Sequence, residues 1–196
     1  KNIVLECEAR CHSSLVSANV KAVIYQSEYA MSLGDVKGQV IYPSVNEAIA
    51  PRKQNKEKGD PFKILAVGYG DALKGFDAVY EVVRKLSLKG HNVELRIAGS
   101  VGHNFSTYPE IDIVCYEKHT LQQYINLDKN KSFKFEISPA NRKDLFSDLY
   151  PEADVYLHLA RMDTFGFSIL EAMVNGLPVV TMDFKAIPEM IRYSEN

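Results

Sequence analysis

Two carboxylates around a glycine mark the segment of this chain best suited to bind a ligand. Asp163 and Glu171 lie eight residues apart in DTFGFSILEAM, with Gly166 between them. The pattern places Asp163 in a loop and Glu171 in the first turns of a helix. The free N–H groups of a helix start suit a diphosphate, and flanking carboxylates suit hydroxyl groups. An alternative is purely structural, because Ser168 and Glu171 are spaced as a capping box that only closes the helix end.

Two further loops combine glycine with groups that could meet a phosphate. Gly68 follows an apolar run and is followed by Lys74, and Gly99 is followed by Ser100 after a second apolar run. Glycine lets the backbone approach a ligand closely, and a lysine at a helix start can meet a phosphate. The loop that begins at Gly68 has the pattern of neither a dinucleotide-binding turn nor a P-loop. Each therefore also fits an ordinary turn between a strand and a helix.

The cysteines and histidines do not form a recognisable metal site. Cys7, Cys11 and His12 could be neighbours on a helix, but a fourth ligand at a suitable spacing is missing. His158 lies inside an apolar run and is expected to be a hydrogen-bonded core residue. The sequence has no Asp-x-Asp pair, so a diphosphate clamped through a metal is not expected.

Alternating strands and helices must position these residues. Apolar runs predict strands at 62–67, 93–98, 133–137, 155–159 and 178–182. Helices are predicted between them, beginning near Phe76, Pro139, Gly166 and Pro188. Near-continuous apolar strands alternating with helices indicate an α/β fold, with a parallel sheet covered by helices on both faces. Ligands of such sheets bind at the carboxyl ends of the strands, where the loops described above lie.

The first part of the chain is predicted to be separate from this sheet. Residues 3–17 are expected to form a helix, and residues 20–26 and 40–45 are expected to be strands. Residues 47–61, EAIAPRKQNKEKGDP, hold two prolines and four basic residues, which predicts a linker or a mobile surface loop. The basic cluster fits a solvated loop, with contact to membrane lipid as the alternative.

Composition excludes several classes of protein. With 196 residues, 46% of them hydrophobic and 24% charged, the chain is not of the disordered class. No apolar run is long enough to span a membrane. Twenty-three basic against 25 acidic residues give a net charge of −2, which does not suit a nucleic-acid partner. Three cysteines cannot form a disulfide framework and favour a reducing compartment, which predicts a cytoplasmic location.

Four segments, in this order, resemble family 4 of the glycosyltransferases, also called glycosyl transferases group 1. They are ILAVGYGDALKGFD, VELRIAGS, LYPEADVYLHLA, and DTFGFSILEAMVNGLPVVTMD followed by IPEMI. The family has the GT-B fold and retains the anomeric configuration. The resemblance implies a Rossmann-like, C-terminal nucleotide-sugar-binding domain at 62–196, cut short at its C-terminus. Residues 1–46 are then the tail of the N-terminal, acceptor-side domain, and residues 47–61 are the linker.

The resemblance also assigns roles to matching positions. Lys74 matches the lysine that neutralises the donor diphosphate, and Glu171 matches the glutamate that hydrogen-bonds the ribose. Asp163 stands where the family usually has a glutamate that contacts the transferred sugar, and it reaches one methylene less. Lys74 and Asp163 are therefore the expected catalytic residues. The expected nucleotide-sugar contacts are Gly68, Tyr69, Gly99, Ser100, Ile137, Phe165, Gly166, Phe167, Ser168 and Glu171.

One position departs from the family pattern. The family commonly has an arginine directly after the glycine of the first strand, where this chain has Tyr69. A tyrosine donates a hydrogen bond but brings no positive charge. Phosphate binding would then rest on Lys74, on helix amides and on Arg161.

The activity implied is that of a retaining hexosyltransferase of polysaccharide biosynthesis. It would move a hexose-type sugar from a nucleotide diphosphate-sugar to a saccharide or lipid-linked acceptor, without a metal or another cofactor. The acceptor would bind in the missing domain, which could also contact the inner face of the membrane. This chain alone is then expected to transfer no sugar. Two alternatives stay open: a non-catalytic binding module that keeps the fold, and a sugar-nucleotide epimerase.

Overall fold

The computed structural model describes residues 3–7, 13–15, 20–45, 50–53, 56–68, 74–99, 128, 132–161, 163 and 165–194. The chain divides into two compact units. The N-terminal unit consists of Lys1–Asn46, Met162–Leu170 and Asp183–Asn196, and the central unit consists of Glu47–Arg161 and Glu171–Met182. The predicted domain boundaries at residues 46 and 61 stay predictions.

The N-terminal unit is built on a small parallel sheet with strand order β1-β2-β3. The elements described in its first 46 residues are β1 (Ile3–Cys7), a 3₁₀ turn (Ser13–Leu15), β2 (Val20–Tyr25), α1 (Glu28–Ser32) and β3 (Gln39–Val40). The predicted helix over residues 3–17 is wrong, because Ile3–Cys7 pairs with β2 as a strand. The predicted strand at 40–45 is limited to Gln39–Val40. Both corrections arise from pairing across the sheet, which local sequence patterns do not encode.

The central unit holds the predicted parallel sheet. Within the described residues, its five strands follow the order β6-β5-β4-β7-β8 and every pairing is parallel. The strands are β4 (Phe62–Val67), β5 (Val93–Ala98), β6 (Lys134–Ser138), β7 (Val155–His158) and β8 (Val179–Thr181). In this register Ala98 pairs with both Val67 and Ser138. The carboxyl ends of β4, β5 and β6 therefore meet at one edge of the sheet.

Helices cover both faces of this sheet. On one face, α2 (Phe76–Leu88) buries Phe76, Val79, Tyr80 and Val83 against Ile64, Leu95, Ile97 and Leu157. Side chains alternate along a strand, so Tyr156 points to the opposite face from Leu157. There the ring of Tyr156 lies 6.3 Å from that of Tyr150. The predicted two-sided α/β sheet is confirmed.

The helical segment on the second face is irregular. It consists of α3 (Arg142–Asp144), a π-helical stretch (Leu145–Leu149) and α4 (Tyr150–Glu152). Asn141 caps its start, because its side-chain oxygen accepts a hydrogen bond of 3.0 Å from the Asp144 N–H. Two further helices within the described residues are α5 (Phe167–Val174) and α6 (Ile187–Ser194).

Part of the basic segment between residues 47 and 61 is attached to the central unit. Arg52 donates to the carbonyls of Gly176 (2.8 Å) and Ala153 (2.7 Å), and the Lys53 N–H donates to the Pro151 carbonyl (3.0 Å). Lysine side chains of the segment form ion pairs: Lys53 with Asp148 and Glu152, and Lys56 with Asp154. Both lysines therefore have acidic partners within the central unit. Across the described parts of the chain, no helix is both long and apolar enough to cross a membrane.

Candidate functional site

A cleft of about 260 Å³ opens at the carboxyl edge of the central sheet. It is lined by the ends of β4 and β5 and by the residues that follow β6: Val67, Gly68, Ala98, Gly99, Pro139, Ala140 and Leu145. These side chains are small or apolar, so a ligand can approach the backbone closely. The carboxyl edge is also where parallel α/β sheets bind their ligands. The cleft therefore lies where the sequence predicts a site, and it contains the predicted contacts Gly68 and Gly99.

The two glycines lie against each other. A Cβ atom added to Gly99 would lie 1.7 Å from the carbonyl oxygen of Gly68, so no side chain fits there. Both backbones are also tied to neighbouring strands. The Gly68 N–H donates to the Ala98 carbonyl at 3.1 Å, and the Gly99 N–H donates to the Ser138 carbonyl at 2.9 Å. This part of the cleft wall is therefore rigid and presents backbone rather than side chains.

Lys74 lies beside the glycine wall. A Cβ atom added to Gly68 would lie 3.6 Å from Cγ of Lys74 and 3.7 Å from its Cδ. The next residue, Gly75, precedes α2 with a φ of 64°, and a Cβ there would lie 1.9 Å from the Leu159 carbonyl oxygen. The start of α2 is thus pressed against the chain that follows β7. Lys74 directly precedes the N-cap Gly75 of α2, and the N-terminus of a helix is the positive end of its dipole. The predicted contacts Tyr69 and Ser100 lie outside the described residues.

Arg161 is held by a carboxylate of the same unit. Its two terminal nitrogens donate to the two oxygens of Asp77 at 2.6 and 2.5 Å. Asp77 lies in the first turn of α2, and its side chain is buried. This bidentate ion pair connects the start of α2 to the segment after β7. It also balances the charge of Arg161.

Glu171 is a buried carboxylate with two donors from the helical segment. Glu171 is 4% exposed, and its Oε1 accepts from Arg142 Nη1 at 2.5 Å while its Oε2 accepts from the Tyr150 hydroxyl at 2.9 Å. Burial, together with nearby Tyr156 and Glu171, raises the pKa of Tyr150, which therefore stays a hydrogen-bond donor. Neither donor is apparent from the sequence, where Tyr150 occupies one of the apolar positions of a predicted helix.

The capping-box interpretation of Ser168 and Glu171 is wrong. The carboxylate of Glu171 is bonded to Arg142 and Tyr150. Ser168 is already the second residue of α5, and the first turn begins at the carbonyl of Gly166, which accepts from the Ile169 N–H at 2.9 Å. Glu171 is therefore available for a role other than closing the helix.

Asp163 belongs to the N-terminal unit and shapes the start of α5. Its Oδ1 accepts hydrogen bonds from the N–H groups of Gly166 (3.0 Å) and Phe165 (3.4 Å). Gly166 has a φ of 90°, a conformation that favours glycine. Phe165 is buried and Phe167 is exposed, with ring centroids 5.2 Å apart. The predicted sugar contacts of Asp163 and of Phe165–Ser168 stay predictions.

The structure brings together only some of the predicted residues. Gly68 and Gly99 line the cleft, and Lys74 lies beside Gly68. Glu171 accepts a hydrogen bond from the helical segment whose Leu145 lines the cleft. Ile137 is half-buried in the edge strand β6. His158 is a buried strand residue 3.3 Å from the Thr181 hydroxyl, as predicted.

Metal ligation gains no support from the described part of the structure. No group of three or more His, Cys, Asp or Glu side chains there could hold a metal ion. The side chain of Cys7, and the whole of Cys11 and His12, lie outside the described residues.

Comparison with known proteins identifies the family. Residues 48–196 match the family model of the glycosyl transferases group 1. The chain belongs to this family. It is 25% identical over 152 residues to the phosphatidylinositol N-acetylglucosaminyltransferase GPI3 subunit of Saccharomyces cerevisiae, a match that covers 75% of this chain and 30% of that protein. The chain thus spans less than a third of the length of this curated relative.

Solved structures show the same fold. The lipopolysaccharide outer core galactosyltransferase WaaB superposes with a TM-score of 0.54 at 16% identity, covering 87% of this chain and 45% of WaaB. A mutant of S. aureus TarM, in complex with fondaparinux, alpha-GlcNAc-glycerol and UDP, superposes with a TM-score of 0.58 at 17% identity, covering 87% and 31%. The central sheet of this group 1 chain is thus the Rossmann-like sheet of GT-B glycosyltransferases.

Proposed function

We propose that this chain is the donor-binding half of a retaining glycosyltransferase. The whole protein would move a hexose-type sugar from a nucleotide diphosphate-sugar to a saccharide or lipid-linked acceptor. The observation that carries the proposal is the cleft at the carboxyl edge of the sheet, with Lys74 beside Gly68. The UDP in the TarM complex supports a nucleoside diphosphate as the ligand. The three thiols favour a reducing compartment, so we place the reaction in the cytoplasm, at the inner face of the membrane where the acceptor is lipid-linked.

The proposed chemistry depends on stabilising a leaving diphosphate. As the bond between C1 of the sugar and the diphosphate oxygen breaks, negative charge grows on the phosphates. Positive groups that are already in place stabilise that charge without reorganising. Lys74 and the N–H groups at the start of α2 supply them from the chain itself, so the proposal assigns no step to a metal. The acceptor oxygen bonds to C1 on the same face, and its proton passes to the departing phosphate oxygen.

The two carboxylates would orient hydroxyl groups rather than attack the sugar. Glu171 would accept hydrogen bonds from the ribose of the nucleotide. Asp163 would orient the transferred sugar, together with backbone N–H groups at the start of α5.

A non-catalytic binding module is the second candidate. It is favoured by Asp163, whose carboxylate takes part in the turn before α5, and by Tyr69, which carries no positive charge. Sugar transfer by the whole protein, measured with a panel of nucleotide sugars, separates the two. This chain alone is expected to bind the donor without transfer, because one wall of a two-domain site cannot orient the acceptor. A whole protein inactive with every nucleotide sugar would favour the binding module.

The donor site itself is tested by comparing phosphorylated and unphosphorylated ligands. UDP is expected to bind at least about tenfold more tightly than uridine, since a charge-assisted hydrogen bond contributes about 1.5–3 kcal/mol. Calorimetric titration measures both affinities, and the pair GDP and guanosine tests a second base. Equal affinity for diphosphate and nucleoside with both bases would remove the proposed phosphate site.

A further inference from the structure

The burial of Glu171 requires a physical explanation beyond packing. Moving a carboxylate out of water is costly unless the charge is paired and hydrogen-bonded. Replacing a buried ion pair by apolar side chains of similar volume is often neutral or stabilising. Apolar residues in place of Glu171, Arg142 and Tyr150 could therefore give the protein similar stability. The two hydrogen bonds instead orient both oxygens of the Glu171 carboxylate.

The irregular helical segment is what allows both donors to reach Glu171. Arg142 and Tyr150 are eight residues apart, and in a regular α-helix such positions lie about 80° apart around the axis. The π-helical stretch Leu145–Leu149 between them turns less per residue, which reduces this offset. The same stretch contributes Leu145 to the wall of the cleft. One segment thus connects the cleft to the carboxylate.

We propose that Arg142 and Tyr150 are positioning residues that hold the two oxygens of Glu171 for the ribose hydroxyls of the donor nucleotide. This inference rests on the proposed function. An ionised carboxylate has about four lone-pair sites. Arg142 takes one on Oε1 and Tyr150 takes one on Oε2, which leaves each oxygen able to accept from one of two adjacent ribose hydroxyls.

The two donors contribute differently. Tyr150 is fully buried and neutral, so it fixes the direction of Oε2 without changing the charge. The Arg142 side chain is 50% exposed, and its guanidinium lies 5.3 Å from the centre of the Phe146 ring. Its positive charge compensates the buried carboxylate. Removing Tyr150 therefore loosens one oxygen, whereas removing Arg142 leaves a buried charge without its counterion.

The test measures how well the protein distinguishes ribose from 2′-deoxyribose. Calorimetry on the whole protein gives the ratio of the dissociation constants of 2′-deoxyUDP and UDP, or of the guanosine pair where GDP binds more tightly. The wild-type ratio is expected to be about tenfold, the worth of one hydrogen bond to a charged group. Tyr150→Phe should lower the ratio to about threefold or less. The affinity for 2′-deoxyUDP should change much less, because base and phosphate contacts remain.

A matched control comes from a second buried tyrosine. The Tyr80 hydroxyl donates to Asp128 at 2.9 Å, so Tyr80→Phe also deletes a bond between a tyrosine and a carboxylate. This variant should keep the wild-type ratio. A loss of folding stability alone would affect Tyr80→Phe and Tyr150→Phe alike. It would leave the ratio of the two dissociation constants unchanged in both variants.

Variants of Arg142 test the same inference independently, in case Tyr150→Phe does not fold. Arg142→Gln should lower the ratio, and Arg142→Lys, which keeps the charge, should restore part of it. A wild-type ratio near one, or wild-type ratios in both Tyr150→Phe and Arg142→Gln, would overturn the inference while UDP binding remained. Wild-type protein that binds no nucleoside diphosphate would instead overturn the proposed function, and the inference with it.

Discussion

Replacing Lys74 with alanine is expected to weaken UDP binding by about 10- to 150-fold and to leave uridine binding unchanged. The side chain lies against Gly68 at the cleft, and its ammonium group is the cation expected to meet the diphosphate. Loss of a hydrogen bond to a charged group costs about 1.5–3 kcal/mol, which corresponds to this range. Calorimetric titration of the variant with UDP and uridine measures the effect.

Two companion variants make this result specific. Lys74→Arg keeps the charge and should retain most of the UDP affinity. Lys85→Ala removes an exposed lysine from the last turn of the same helix and should change neither affinity. Equal weakening of UDP and uridine in Lys74→Ala would mean that the side chain only shapes the glycine wall. Unchanged UDP binding would exclude Lys74 from the phosphate site.

Gly99→Ala is expected to lower the free energy of unfolding by about 3 kcal/mol or more, the upper range for overpacking. The new methyl group would lie 1.7 Å from the carbonyl oxygen of Gly68, which is backbone and cannot rotate away. Hydrogen bonds from Gly68 to Ala98 and from Gly99 to Ser138 hold both sides of this contact in the sheet. Relief therefore requires moving two strands apart. Urea unfolding of the variant measures the loss.

Gly59→Ala separates steric overlap from backbone strain. Gly59 has a φ of 109°, and a Cβ there would meet nothing within 4 Å. This variant should lose only about 1–2 kcal/mol, the cost of a left-handed backbone for a residue with a side chain. If Gly99→Ala lost no more than Gly59→Ala, the close contact between the two cleft glycines would not be rigid.

The strands of the central sheet could be predicted because short segments of the sequence show where they begin and end. Phe62–Val67 and Val93–Ala98 are short apolar runs ended by glycine, so burial and termination are both visible in the sequence, and both strands have the predicted bounds. Local patterns gave the wrong structure for Ile3–Cys7, which is a strand and not part of a helix. That strand is only five residues long, its partner is β2, and the spacing of Cys7 and Cys11 fits a helix equally well. Nothing local distinguishes the two interpretations.

The candidate site was predictable to the extent that it lies in loops after strands. Gly68, Gly99 and Lys74 follow strand ends, so the fold class alone places them at the carboxyl edge. The donors to Glu171 could not be predicted. They come from 29 and 21 residues away in the chain, and they converge through a π-helical stretch for which the sequence gives no signal.

The attachment of residues 50–53 to the central unit makes one backbone amide a reporter of the site. The Lys53 N–H donates to the carbonyl of Pro151, the neighbour of Tyr150, and exchanges with deuterated solvent only when that bond opens. A ligand held by Leu145 and Glu171 would bind only the closed form of the segment. It would then slow exchange by one plus the ratio of the free ligand concentration to Kd, which is about 100-fold at a ligand concentration of about 100 times Kd. Deuterium uptake at Lys53 would therefore record binding at a residue that touches no part of the cleft.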